Sequence, residues 1–173
     1  RFPVVESRTL SHVVADDSLP RFSRTAGAAL LQVSSDQQLW VVCVHLHPGD
    51  VELRAREGTL LWERLQGLLP FCENAVVLGD FNCEVDEPVH GHLRDSGFVN
   101  AMAAAGGGLQ LTMDTADIHD WKIDHIYLSS GLGSRLTSAA IIRDVGFRTD
   151  PPRPEGAWDH SDHLPVQADL DWP

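Results

Sequence analysis

Ala75-Val76-Val77-Leu78-Gly79-Asp80-Phe81-Asn82 is the stretch on which the fold turns. Ala75 to Leu78 is a short apolar run of the kind a buried strand requires, and it leads into Gly79. Beyond it a carboxylate and a carboxamide stand two residues apart, so Asp80 and Asn82 can point the same way off a strand end while Phe81 turns into the core. A second cluster, Ser161-Asp162-His163-Leu164-Pro165-Val166, places a carboxylate beside an imidazole just before another apolar run. A carboxylate can hold a divalent cation or take a proton. An amide can grip a phosphate oxygen, and a histidine can stabilise or protonate a reacting group. Metal-assisted hydrolysis of a phosphoester is the chemistry that uses all three residue types.

Outward from this stretch, Ala28–Val33 and Leu39–Leu46 read as two strands joined by the turn Ser34-Ser35-Asp36, an antiparallel pair. Val51–Leu69 reads as a helix, with Leu53, Leu60, Leu61, Leu65 and Leu68 near one face, Gly58 weakening it and Pro70 just beyond. Glu87–Ser96 reads as a short helix. Asn100–Ala105 is helix-prone and stops at Gly106-Gly107-Gly108. Ile123–Leu128, Leu136–Arg143 and Val166–Leu170 read as strands. Arg148–Gly156, with three prolines, reads as a loop. Strand–helix–strand order followed by further strands suits mixed α/β layers within one domain spanning residues 1–173.

Composition narrows the partners. The 173 residues carry a net charge of -12, and of thirteen cationic side chains only Lys122 is a lysine. No clustered basic run exists of the kind that displaces counterions from a polyanion. Arg54, Arg56 and Arg64 are interleaved with Glu52, Glu57 and Glu63 and read as a solvated helix face. Cys43, Cys72 and Cys83 are widely spaced and cannot all pair within the chain, which favours a reduced, cytoplasmic setting. Cys43 falls in an apolar run and is expected in the core, as is Cys83. No stretch is long and apolar enough to be a transmembrane helix.

Other polar groups admit rival readings. His45 and His47 lie two apart and could share a strand face as zinc ligands, with Asp80, His160 and His163 completing a dinuclear centre. The further histidine that such a centre would need soon after Asp50 is missing, so His47 reads as a residue at the site rim. His90-Gly91-His92 has no nearby cysteine and reads as solvated loop. Trp121 could stack on a substrate ring, and the Trp158-Asp159-His160 loop is placed to contact substrate through Trp158 and His160.

Four segments in order, Val44-His45-Leu46, Gly79-Asp80-Phe81-Asn82, Ile123-Asp124-His125-Ile126 and Ser161-Asp162-His163-Leu164-Pro165, resemble the endonuclease/exonuclease/phosphatase superfamily, the deoxyribonuclease I-like domains. The resemblance is to the C-terminal part of the domain and runs from Arg1 to the end. It implies a four-layer α/β sandwich, two β-sheets packed face to face with helices outside. It also implies that Asp80 orients or activates the attacking water and that Asn82 holds the phosphate. His163 then stabilises charge there with Asp124 as its partner, Asp162 belongs with Asp80 to a Mg²⁺ or Mn²⁺ site, and His45 sits by the phosphate. The expected substrate is a phosphoester of nucleic acid, phospholipid or a small molecule. The family's first half carries an Asn and a metal-binding Glu that have no counterpart here. The chain is therefore expected to be a fragment or half of a two-piece enzyme, partnered by that N-terminal half or acting as a non-catalytic binding module.

Overall fold

The structure, a computed structural model, describes residues 2–10, 24, 26–114, 120–143 and 161–172. The strands are β1 (Val4–Thr9), β2 (Ala26–Gln32) and β3 (Gln38–His45), followed by helix α1 (Val51–Leu68) and β4 (Ala75–Asp80). Next come α2 (Pro88–Asp95), β5 (Val99–Asn100), α3 (Ala101–Ala105), β6 (Met113–Asp114), β7 (Asp120–Trp121) and β8 (Asp124–Leu128). The chain closes with α4 (Ser130–Gly133), β9 (Leu136–Ile141) and β10 (Val166–Leu170).

Six strands form one sheet in the order β1-β2-β3-β4-β8-β5. The β2–β3 pair is antiparallel, as the turn between them requires. β3 and β4 are parallel because α1 carries the chain back across the sheet. β8 then pairs antiparallel with β4. The ends of β3 and β4 and the start of β8 therefore meet at one end of the sheet, and the register sets His45 beside Asp80 and Asp80 beside Asp124. That convergence places the site.

One face of the sheet packs on α1 and α2. Trp40, Val42 and Val44 of β3 and Ala75 and Val77 of β4 are buried there against Leu60, Leu61, Leu65 and Leu68. Asp50 caps α1 by accepting the Leu53 N–H at 3.0 Å. Gly58, unfavourable in a helix by propensity, is where α2 crosses. A Cβ there would lie 2.7 Å from the Cβ of Val89. The other face meets an antiparallel pair, β9–β10, whose Ala139 joins Val76, Leu128 and Leu132 in a second apolar cluster. Ala140 of β9 and its neighbours Gln167 and Asp169 on β10 face outward and are exposed. Two packed sheets with helices outside the larger one match the architecture that the family resemblance implies. No helix among the described residues is long and apolar enough to cross a membrane.

Three sequence expectations are corrected. Cys43 is exposed rather than core, because alternate residues of β3 face opposite ways and α1 covers only the face of Trp40, Val42 and Val44. Arg54 and Glu57 are buried, at 5% and 1% exposure, rather than solvated. His90 lies in α2, fully buried, with its Nε2 3.3 Å from the Cys83 sulfur, so the pair reading as a solvated loop without a cysteine partner does not hold for it. The Arg148–Gly156 loop lies outside the described residues.

Candidate active site

The site is built from four chain segments. β4 extends to Asp80, two residues past the end expected from apolarity, because Gly79 can adopt φ 133° and lets the strand pass against β3. Asn82 then takes φ 53°, the left-handed conformation that Asn tolerates. The turn is closed by Asp80 itself, whose Oδ1 accepts the Asn82 N–H at 2.8 Å and whose Oδ2 accepts from Asn82 Nδ2 at 3.0 Å. Asn82 Nδ2 also donates to the Leu46 carbonyl at 2.9 Å. Asp80 and Asn82 do share one side, while Phe81 is wholly buried.

Asp124 opens β8 directly opposite Asp80. Its Oδ2 lies 2.8 Å from His163 Nδ1. Thr112 joins the two halves of this pair. Its buried hydroxyl accepts the Ile123 and Asp124 N–H groups at 3.1 Å each, and its carbonyl accepts the Leu164 N–H at 2.7 Å. Nothing in the sequence marks Thr112, because its role depends on two strands that come together only in the fold. Ser161 Oγ accepts the His163 N–H at 3.0 Å and fixes the turn. His45 Nε2 is 3.5 Å from Asp80 Oδ2.

The electrostatics follow from these distances. The hydrogen bond to Asp124 raises the His163 pKa above 6.5, against the opposing effect of burial, so the imidazolium persists to higher pH than usual. Burial raises the Asp80 pKa, and the facing charge of Asp124 adds to the rise. Two carboxylates directly opposed across antiparallel strands are unfavourable unless a cation or shared proton lies between them. One oxygen each of Asp80 and Asp124 and a ring nitrogen of His163 lie within 4.8 Å of one another. This donor set fits a hard divalent cation, with the two carboxylates as ligands and His163 held by Asp124.

Of the expected site residues, the structure therefore brings together His45, Asp80, Asn82, Asp124 and His163. Asp162 is exposed on the adjoining turn and outside the close group, although its charge contributes to the rise at His163. Trp121 sits on β7, three residues before Asp124 and 37% exposed. Trp158 and His160 lie outside the described residues. His47 turns away from a shared centre with His45. Its Nδ1 accepts the Gly49 and Asp50 N–H groups at 3.2 and 3.0 Å. Beside the dyad opens a cavity of about 350 Å³ whose walls include Leu78, Ile126, Leu164 and Val166.

Beneath Phe81 lies a polar cluster that sequence reading did not find. His90 Nδ1 is 2.9 Å from the Tyr127 hydroxyl, and the His90 and His125 rings meet edge to face at 4.8 Å. Burial pushes the His90 pKa down to about 3 and also lowers His125. A histidine depressed in the fold stabilises above its ordinary 6.5 and loses that contribution as pH falls toward the folded value. Acidification from pH 7 to 5 is thus expected to cost about 2 kcal/mol through His90 alone. His163 acts oppositely, its contribution being complete below 6.5 and lost as pH rises through its elevated pKa. Urea denaturation at pH 5, 6 and 7 checks this, and His90→Gln should flatten the acid side.

No protein-family model matches this chain, and no curated protein matches it. Solved structures do. A Bacteroides thetaiotaomicron endonuclease/exonuclease/phosphatase family protein superposes with TM-score 0.73 at 17% identity, covering 97% of this chain and 65% of that one. A 3′ phosphatase from Neisseria bound to a product DNA hairpin gives 0.71 at 18% identity, covering 99% and 73%. A mannosyl-6-phosphatase, also from B. thetaiotaomicron, gives 0.72 at 18% identity, covering 99% and 67%. The fold is that of the endonuclease/exonuclease/phosphatase proteins, and the chain spans about two thirds of the length of these structures.

Proposed function

We propose that this chain carries the phosphate-handling centre of a Mg²⁺- or Mn²⁺-dependent phosphoester hydrolase of the endonuclease/exonuclease/phosphatase superfamily, in which water attacks phosphorus in line. The observation that supports it most is the Asp124–His163 bond of 2.8 Å beside the Asp80–Asn82 turn. An imidazolium whose Nδ1 is held by Asp124 leaves Nε2 to donate to a phosphate oxygen and offset charge there. Asn82 spends its two Nδ2 hydrogens on the Leu46 carbonyl and on Asp80 Oδ2, so a phosphate oxygen would accept from Nδ2 in place of Asp80. Asp80, braced by the Asn82 turn, would orient the attacking water or take its proton. His45, near Asp80, can orient the same water. Asp80 and Asp124, with Asp162 from the adjoining turn, would hold a cation that neutralises charge on the phosphoryl oxygens when bound.

A small or lipid phosphoester suits the site better than a long polyanion. The net charge is -12, and the cavity beside the dyad has apolar walls that could receive an uncharged portion of the substrate. Trp121, Trp158 and His160 would contact the part of the substrate beyond the phosphate. A His45/His47 zinc centre is not favoured, because His47 serves its own turn.

Chelation tests the reading. Excess EDTA is expected to abolish hydrolysis of bis(p-nitrophenyl) phosphate by the protein at its natural length. Mg²⁺ or Mn²⁺ should restore it and stoichiometric Zn²⁺ should not. Full turnover in excess chelator would refute the metal requirement.

A further inference from the structure

Behind the site lie charged side chains that this chemistry does not use. Arg54 donates from Nε and Nη2 to the two carboxylate oxygens of Glu87, at 2.9 and 2.6 Å. Its Nη1 donates to the His47 carbonyl at 2.9 Å. Glu57 accepts the His47 N–H at 2.9 Å. The backbone of His47 is thus gripped at both its N–H and its carbonyl. One residue upstream, Leu46 donates its N–H to the Asp80 carbonyl at 3.0 Å and accepts from the Asn82 amide. Glu87 closes the loop that leaves Asn82 and stands at the start of α2. Arg54 therefore ties the segment following β3 to the segment following β4, which are the two segments that carry His45 and the Asp80–Asn82 turn.

A buried ion pair is an inefficient way to stabilise a fold. The cost of desolvating both charges offsets their attraction, and well-packed apolar residues of similar volume often serve as well or better. A planar guanidinium with its donors in a rigid fork is suited to another task, which is holding several acceptors on separate loops in one fixed arrangement. The geometry points to Arg54, supported by Glu57 and Glu87, as a positioning residue that sets the spacing of His45 from Asp80 and Asn82 without touching substrate. The inference rests on the hydrolase reading for its kinetic consequence, because displacements of about 1 Å at a reacting centre can cost about a hundredfold in rate.

Arg54→Lys keeps the charge and removes the fork. In folded protein, verified by circular dichroism, kcat per folded molecule on bis(p-nitrophenyl) phosphate with Mg²⁺ is expected to fall about 10- to 100-fold. KM should stay within about twofold. The NMR resonances of the Asn82 side-chain amide and the His45 Cε1–H should both shift. Glu57→Gln, which retains an oxygen for the His47 N–H, should keep most of the turnover. A purely structural role predicts a lower melting temperature with kcat per folded molecule and both resonances unchanged, and that result would overturn the inference. If Arg54→Lys does not fold, Arg54→Gln combined with Glu87→Gln, a neutral hydrogen-bonding pair, is read in the same way. Absence of hydrolysis by the wild type would remove the hydrolase reading alone. The two resonances would still decide the positioning role, and unmoved resonances would overturn it.

Discussion

Replacing His163 with Ala is expected to lower turnover by about 10²- to 10⁴-fold, the range for a positioned charge-stabilising or proton-transferring group. The ring is half-buried, held through Nδ1 at 2.8 Å by Asp124, and its pKa is raised by that bond. It therefore carries positive charge at neutral pH more fully than a free imidazole, at a point where a phosphate would gain negative charge. Alanine removes that charge. Asp124→Asn should cost less, because the amide oxygen can still accept from Nδ1 and still meet a cation, while only the carboxylate's charge is lost. It should also move the alkaline limb of the pH–rate profile to lower pH, because the chief cause of the raised His163 pKa is gone. Initial rates of both variants between pH 5 and 9 check this. A His163→Ala enzyme with near wild-type rates would remove the histidine from the mechanism.

Gly79→Ala is expected to destabilise the fold by about 3 kcal/mol or more. Gly79 holds φ 133° between two hydrogen-bonded neighbours, and a Cβ there would lie 2.0 Å from the Val44 carbonyl oxygen. Neither side can yield, since Val44 is core backbone of β3 and Asp80 is the next residue of β4. Domains of this size have about 5–15 kcal/mol in all, so the loss should be plain as a lower urea midpoint. Gly67→Ala is the control. It lies in α1, exposed, with nothing within 4 Å of an added Cβ. It should stabilise by up to about 1 kcal/mol, because Ala is the better helix former. Equal behaviour of the two variants would mean that β4 does not pass this close to β3.

The parts legible in sequence are those carried by local period and local chemistry. The apolar run from Leu39 to Leu46, the leucine face of α1 and the apolar run before Gly79 each announce an element within a few residues. Asp80 and Asn82 announce themselves by spacing. The Asp124–His163 contact, across 39 positions, came from family resemblance rather than from any local pattern. What stayed hidden are pairings across the chain with no local trace. Arg54 alternates with acids as a solvated helix would, and only the arrival of Glu87, 33 positions later, shows that it is buried. His90 lies on a polar-looking stretch, yet α2 turns it onto Phe81 and Tyr127. Cys43 lies in a run apolar enough for core, but the period of two places it on the less covered face.

The most direct test of the central claim is hydrolysis of a phosphodiester in H₂¹⁸O by the protein at its natural length, with Mg²⁺ and with EDTA. Attack of water on phosphorus at the Asp80–Asn82–Asp124–His163 centre predicts one ¹⁸O in the phosphomonoester product, formed only with the cation and lost in His163→Ala. Folded protein that yields no labelled product with Mg²⁺ or Mn²⁺, or yields it equally after His163→Ala, would contradict the account.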